Sequence, residues 1–428
     1  MKIEELYDLY LQHPSVQTDT RKLQPGDLFF ALKGPNFNGN AFARQALEQG
    51  AAYAVIDEEA FAIPGKTILV DDVLKALQLL ATHHRREFTI PFIAITGSNG
   101  KTTTKELAHA VLSSTHKTYT TEGNLNNHIG VPLTLLKIRP DAEFAIIEMG
   151  ANHLHEIASY CQIARPTHGL ITNCGKAHLE GFGSEEGVRK GKGELYDFLR
   201  QYNGGAFVMQ DYDYLQPMSA GIQTIVTYGT GEADISGQAS KNDPFLSVSF
   251  TKGFQGTVDT HLVGGYNLPN VLAAVTIGKF FHIPEENIRK AIEGYSPSNS
   301  RSQLMTRGSH QIILDAYNAN PSSMKLAIEN FAQAEGQNKV LVLGAMAELG
   351  KQSSDEHRQI IEVIQQHPWK NVLLVGGEFA SVAHPFLHFG TADEAGAWLQ
   401  AHPLEGASLL IKGSRSTRME KVLDYLPA

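Results

Sequence analysis

The stretch Thr96-Gly97-Ser98-Asn99-Gly100-Lys101-Thr102-Thr103 follows an apolar run from Pro91 to Ile95 and opens the helical pattern of Thr102 to Leu112. A strand, a glycine turn and a helix in that order form a cradle for phosphate, because turn N–H groups and the positive helix end face an anion together. Two glycines let the backbone come close, Lys101 reaches terminal phosphates, and the Thr102 hydroxyl can hold Mg2+. The longer G-x-x-x-x-G-K-[ST] pattern needs glycine where this chain has Ile95, so the spacing is the shorter T-G-x-x-G-K-T form. A glycine turn with an incidental lysine is the weaker reading, since all three elements occur in the required order.

Other polar residues close apolar runs. Glu148 ends Phe144 to Met149, a costly place for a carboxylate unless it is paired or holds a cation, for which Mg2+ is the obvious choice beside phosphate. The alternative is a cap on the helix a few residues later. His178 follows the next strand, Gly169 to Asn173, and should reach the same edge, although a lone histidine is more often structural. Lys190 and Lys192 lie in GVRKGKGEL, a helix whose basic run ordinarily faces water, and spacing does not single out Lys192. Asn267 and Asn270 precede the helical run VLAAVTIGKFF, where they can cap its first N–H groups or read a base edge. Asp315 to Pro321 closes a further strand with a loop that is both turn-like and site-like.

These residues need sheets to bring them together. Residues 1–86 alternate short apolar runs and helical stretches: strands at Leu28 to Leu32 and Tyr53 to Ile56, helices at Ala41 to Gln49 and Val73 to His84. That is a small α/β domain, whose loops Thr18-Asp19-Thr20-Arg21 and Lys33 to Gly39 either bind a ligand or turn the chain. Residues 87–296 alternate strand and helix, with helices at His153 to Ile163 and Glu185 to Leu199, which predicts a parallel sheet of doubly wound type. Ligands bind such sheets at the carboxyl ends of the strands. Residues 297–428 repeat the theme, with strands at Gln311 to Leu314, Lys339 to Leu343, Asn371 to Val375 and Ser408 to Ile411. Ser353-x-x-Glu356 and Thr391-x-x-Glu394 match capping boxes, and Pro297 to Ser300 reads as a linker.

A chain of 428 residues exceeds what one core usually serves, which favours three α/β domains. With 42% hydrophobic and 19% charged residues it is globular, and a net charge of -9 argues against nonspecific nucleic-acid binding. Cys161 and Cys174 form no C-x-x-C pair, so buried packing in a reduced, intracellular protein is expected. The N-terminus lacks the layout of a secretory signal, and no apolar run reaches membrane-spanning length, so a soluble cytoplasmic protein without membrane insertion is expected.

TGSNGKTTTKE, EGNLNNHIGVPLTLL (Glu122 to Leu136), EMGANH, AHLEGFGS with the later KGE, DAYNANPSSM (Asp315 to Met324) and KGSRSTRMEKV (Lys412 to Val422) occur in an order that resembles the Mur ligase superfamily along nearly the whole chain. The asparagine-rich stretch and DAYNANPSSM resemble the branch that joins D-alanyl-D-alanine to UDP-N-acetylmuramoyl-tripeptide. The resemblance implies a P-loop ATPase-like central domain for ATP, an N-terminal domain for the UDP end of the substrate, and a Rossmann-like C-terminal domain that closes over both. It implies an enzyme that forms an amide bond through an acyl phosphate in peptidoglycan synthesis; a monomer is expected, although no residue pattern bears on oligomeric state. A related ligase with another acceptor, such as a folylpolyglutamate-type enzyme, is the alternative.

By the same resemblance Gly97 to Thr103 hold ATP, and Glu148 and His178 join Thr102 as magnesium ligands. Lys192 matches a lysine carried as a carbamate, whose oxygens suit Mg2+. Lys101, His178 and Lys192 would be the catalytic group. Asn270, Arg301 and Asp315 match positions contacting adenine, phosphate and ribose; Asn124, Asn126 and Asn127 face the muramoyl peptide; Thr20 and Arg21 match an N-terminal S-R pair that binds substrate. The chain departs from the family at Thr20, at Asn38-Gly39-Asn40 where D-G-H is frequent, at His155 where glycine is usual, and at Ala345 where aspartate is common.

Overall fold

The computed structural model describes residues 2–298 and 300–427; Asn299, in the expected linker, lies outside the described residues. The first of three main sheets comprises β1 (Val16–Gln17), β2 (Leu28–Phe30), β5 (Tyr53–Ile56) and β6 (Thr67–Leu69), parallel in the order β1-β2-β5-β6, with β3 (Lys33–Gly34) and β4 (Phe37–Asn38) a separate hairpin. Strand alternation splits its apolar side chains between two faces. Leu28, Phe30, Val55 and Ile68 face the core shared with helix Val73–Arg86, while Phe29, Ala54 and Ile56 face helix Ala43–Glu48.

The central sheet has nine strands: β7 (Phe92–Thr96), β8 (Thr118–Thr120), β9 (Phe144–Glu148), β10 (His168–Ile171), β11 (Gly205–Met209), β12 (Thr224–Gly229), β13 (Ile235–Asn242), β14 (Phe245–Lys252) and β15 (Thr257–Val263). Their order is β15-β14-β13-β12-β11-β10-β7-β9-β8. β7 and β9 are buried along their whole lengths, as strands covered by helices on both faces must be. The chain leaves β7 toward β8 and β9 on one side and later returns to β10 on the other. This reversal opens a crevice at the carboxyl end of β7, the preferred ligand position in such sheets.

The third sheet runs β16-β17-β21-β18-β19-β20, formed by β16 (Gln303–Arg307), β17 (His310–Asp315), β18 (Val340–Gly344), β19 (Asn371–Val375), β20 (Leu387–Phe389) and β21 (Ser408–Lys412). Ile312, Val342, Leu409 and Met419 fill the core on one face.

Several local expectations differ from the structure. The central sheet is parallel only as far as β13; β13, β14 and β15 form an antiparallel extension, and β16 pairs antiparallel with β17. β13 and β14 are each buried over only part of their length and β15 alternates buried and exposed residues, so the three lack the continuous apolar runs that mark the interior strands. Thr391 forms its capping box with Glu394, but Ser353 is already inside its helix and forms none. Asn267 precedes helix Leu268–Phe280 without a side-chain cap, its amide being committed to Val263 and Asn270. The helix expected from His153 begins at Glu156, because His155 holds φ 71°, a left-handed conformation that explains the preference for glycine there.

Candidate active site

The phosphate loop joins β7 to helix Lys101–Ser113 at the reversal point. Gly97 has φ 140°, and a Cβ there would stand 2.0 Å from Thr172 Oγ1; Gly100 has φ 80°, and a Cβ would meet Asn270 Oδ1 at 2.5 Å. The end of β10 shapes the loop. Ser98 N donates to Asn173 O (2.9 Å) and Asn99 N to Asn173 Oδ1 (3.1 Å), while Thr172 Oγ1 donates to Asn99 O (2.6 Å). Lys101 Nζ folds back on the loop, donating to Gly97 O (2.7 Å) and Ser98 O (3.2 Å). Burial weakens its hold on its proton, and the Glu148 carboxylate works in the other direction.

Glu148 is 1% exposed. Its carboxylate accepts from Thr102 Oγ1 (2.9 Å) and Asn126 Nδ2 (2.7 Å), so it faces the phosphate loop and does not cap the following helix. Both donors are neutral, and although the Lys101 charge acts on it, no ion pair to Glu148 is formed among the described residues. Thr102 and Glu148 thus present two oxygen donors at the helix start, a set that suits Mg2+, which binds one or two carboxylates and takes its other ligands from phosphate and water. Among the described residues no group of three or more His, Cys, Asp or Glu is assembled to hold a metal without such help.

His178 also reaches this edge, at φ 52°, and its Nδ1 lies 2.5 Å from Glu348 Oε2. The imidazole holds the Glu348 carboxyl below the usual range. Lys192 overturns the expectation of a solvated basic face: Lys190 is exposed, whereas Lys192 is 1% exposed and donates to Ala151 O at 3.0 Å. Two residues along a helix are roughly 200° apart, so neighbouring lysines point to opposite environments. Burial brings the Lys192 amine down to about 7, helped by the nearby Lys101 charge.

A cavity of about 970 Å3 collects most of the expected residues: Ser98 to Thr103, Asn124, Asn126, Asn127, Glu148, His178, Asn270, Arg301 and Asp315 all line it. Asn127 also accepts from the N–H groups of Ile129 and Gly130 at the start of the next helix. Asn270 is engaged with Asn267 and Thr104, the Arg301 guanidinium lies 3.7 Å from the Tyr317 ring centroid, and Asp315 pairs with Lys412 at 2.5 Å. Gly97 and Lys192 are not among the lining residues. Thr20 and Arg21 are not brought to it either: they form a short turn in the N-terminal sheet, where Arg21 is exposed and doubly bonded to Asp19. Asn40 is buried there, bonded to Asn38 and Asp57, so this chain fills the D-G-H position with a structural amide network. Ala345 is buried, and its carbonyl accepts from Ser414 Oγ at 2.6 Å.

Four residues that sequence reasoning left without a role help to build the site. Asn320 exchanges amide contacts with Asn99 across the cavity, and Ser322 Oγ accepts from Lys176 N at 3.0 Å. Glu348 meets His178, and Lys412 meets Asp315. The last pair had a signal: two apolar strands, β17 and β21, each end on a charge of opposite sign, and the parallel register places the two side by side.

Three family descriptions match the chain in succession: "Mur ligase family, catalytic domain" over residues 14–85, "Mur ligase middle domain" over 95–278 and "Mur ligase, glutamate ligase domain" over 300–415. The UDP-N-acetylmuramoyl-tripeptide--D-alanyl-D-alanine ligase of Bacillus subtilis is 36% identical over 425 residues, covering 96% of this chain and 92% of the relative. The chain belongs to the Mur ligase family. Among solved structures, this Mur ligase is similar to MurF from Acinetobacter baumannii, with TM-score 0.85, 32% identity, and 96% and 92% of the two chains covered. It is similar also to the MurF ligase of Thermotoga maritima in complex with ADP, with TM-score 0.86, 25% identity, and 99% and 98% covered.

Proposed function

We propose that this Mur ligase uses ATP to join D-alanyl-D-alanine to UDP-N-acetylmuramoyl-tripeptide, an amide-forming step of peptidoglycan precursor synthesis. The observation that carries the reading is the joining of a phosphate loop and a buried carboxylate, Glu148, in one cavity closed by residues of the C-terminal sheet. The curated and structural relatives favour the dipeptide over a folylpolyglutamate-type acceptor.

Each proposed role uses chemistry that the residue already has. Loop residues Gly97 to Thr103 cradle the phosphates, with Lys101 released from the loop carbonyls to neutralise the transferring group. Thr102 and Glu148 would hold Mg2+, with His178 and a carbamate on Lys192 completing the set. Bound there, Mg2+ supplies charge that offsets the phosphate oxygens. The Lys192 amine is suited to carbamate formation because burial favours its neutral form, which attacks CO2 to form an N–C bond and release a proton. Asn270, Arg301 and Asp315 face the nucleotide, and Asn124, Asn126 and Asn127 face the peptide. Thr20 and Arg21 take the uridine end once Arg21 leaves Asp19.

The tripeptide carboxylate attacks the γ-phosphorus of ATP and ADP departs. The dipeptide amine then attacks the acyl carbon, loses a proton, and phosphate leaves. Closure of the C-terminal unit over the cavity would keep water from the acyl phosphate in between. We also propose three units, 1–86, 87–296 and 297–428, each built on one main sheet, in a monomeric cytoplasmic enzyme whose two cysteines are unpaired. The function is tested by ATP-dependent phosphate release with UDP-N-acetylmuramoyl-tripeptide, with and without D-alanyl-D-alanine. Release that does not depend on the dipeptide overturns it, and tripeptides carrying lysine or diaminopimelate in third position identify the preferred donor.

A further inference from the structure

The turn carrying His178 and the loop carrying Glu348 come from different sheets and meet face to face. Both residues have positive φ, 52° and 61°, in a region that residues with a Cβ rarely occupy and that gathers at functional sites. Two polar contacts besides the side-chain pair hold them together. Glu180 N donates to Glu348 O at 3.1 Å, and Gln352 Nε2 donates to Gly183 O at 3.4 Å. The Glu348 side chain is 46% exposed and could be left to water, yet its Oε2 lies 2.5 Å from His178 Nδ1. That nitrogen is shielded from solvent, and the contact, although short, lacks the alignment of a full hydrogen bond.

A carboxylate only accepts, so aligning this contact as a hydrogen bond requires the ring hydrogen on Nδ1, and in a singly protonated ring that leaves the lone pair on Nε2. His178 lines the cavity beside Glu148 and the phosphate loop. A histidine whose second nitrogen is tied to a carboxylate has a fixed ring orientation and a more basic free nitrogen, the arrangement that orients histidine ligands and bases in many enzymes.

We propose that Glu348 is a positioning residue, fixing the tautomer and orientation of His178 across the junction of the two units so that docking of the C-terminal unit completes the site. The inference rests on the ligase reading only for what Nε2 meets, a metal ion or the proton of the attacking amine. It separates Glu348 from Gln352, which contacts the same turn without touching the imidazole.

The test uses the full chain labelled with 15N-histidine, without substrates, in a mildly alkaline buffer, with the His178 signal assigned by its loss in His178→Gln. Wild type and Gln352→Ala are expected to show the Nδ1–H form, and Glu348→Ala to shift to the Nε2–H form. In turnover, Glu348→Ala should lower kcat by about 10- to 100-fold, the range for lost partners of histidine ligands, with KM for ATP nearly unchanged and partial recovery in Glu348→Asp. An Nε2–H signal in wild type, or a Glu348→Ala enzyme with the Nδ1–H form or full kcat, overturns the proposal. The resting spectrum needs no substrate, so a wild type with the Nδ1–H form but no dipeptide-dependent phosphate release leaves the positioning role standing and overturns the ligase reading.

Discussion

Lys192 carries a single amine, sealed from water and close to another cation, that loses its proton near neutrality. Its folded-state value lies below the ordinary 10.5, so the amine becomes protonated only as pH falls through about 7. From there up to the ordinary lysine value the unfolded chain binds more protons than the folded one, and this group's contribution to stability rises with pH. The same sign governs the carbamate. With 13C-bicarbonate, a carbamate carbon signal is expected at about pH 8.5, should fade by about pH 6, and should be absent in Lys192→Ala. A signal that persists in the alanine variant would place the carbamate elsewhere. The sequence could not separate Lys192 from Lys190, because which side of a helix meets water depends on what packs against it. Glu148 was legible, since a carboxylate closing an all-apolar strand has few other uses.

The two capping-box matches had equal claims in sequence, and only one is formed. Thr391 accepts from Glu394 N at 3.2 Å, and the Glu394 carboxylate accepts from Thr391 N. Ser353 sits in the first turn with its hydroxyl 3.3 Å from His357 Nδ1. Thr391→Ala should therefore cost about 1 kcal/mol, the usual worth of an N-cap, while Ser353→Ala should stay within about 0.5 kcal/mol. The measurement is convenient because the protein's two tryptophans, Trp369 and Trp398, both lie in the C-terminal unit and report its unfolding. Equal destabilisation by the two variants would refute the distinction. A preceding 3-10 turn, Gly350–Gln352, carries the chain into the Ser353 helix and removes the need for a cap, and a four-residue pattern does not register it. The interior strands were legible as continuous apolar runs, and the half-exposed strands β13 to β15 were not.

At the scale of the molecule, polar contacts dock the C-terminal unit onto the phosphate-loop unit. Lys176 pairs with Glu356 at 2.7 Å, where the carboxylate side chain is only 5% exposed, and Asn99 pairs with Asn320. Removing the lysine strands a buried charge, a penalty of ~3 kcal/mol or less since Lys176 is itself partly exposed. Lys176→Met should therefore loosen the docking, read as a larger radius of gyration in solution scattering, and Lys176→Met with Glu356→Leu should restore compactness. An unchanged radius in the single variant would show that the pair does not hold the units. The sequence by itself determined the α/β class, the phosphate loop, the strand-end carboxylate and the family resemblance, because these depend on local order and short spacing. Tertiary structure alone decided that Lys192 is dry and that Glu348 and Asn320 enter the site from another sheet. Those outcomes depend on contacts between segments up to 221 residues apart, whose geometry is set by packing and has no local pattern to reveal it.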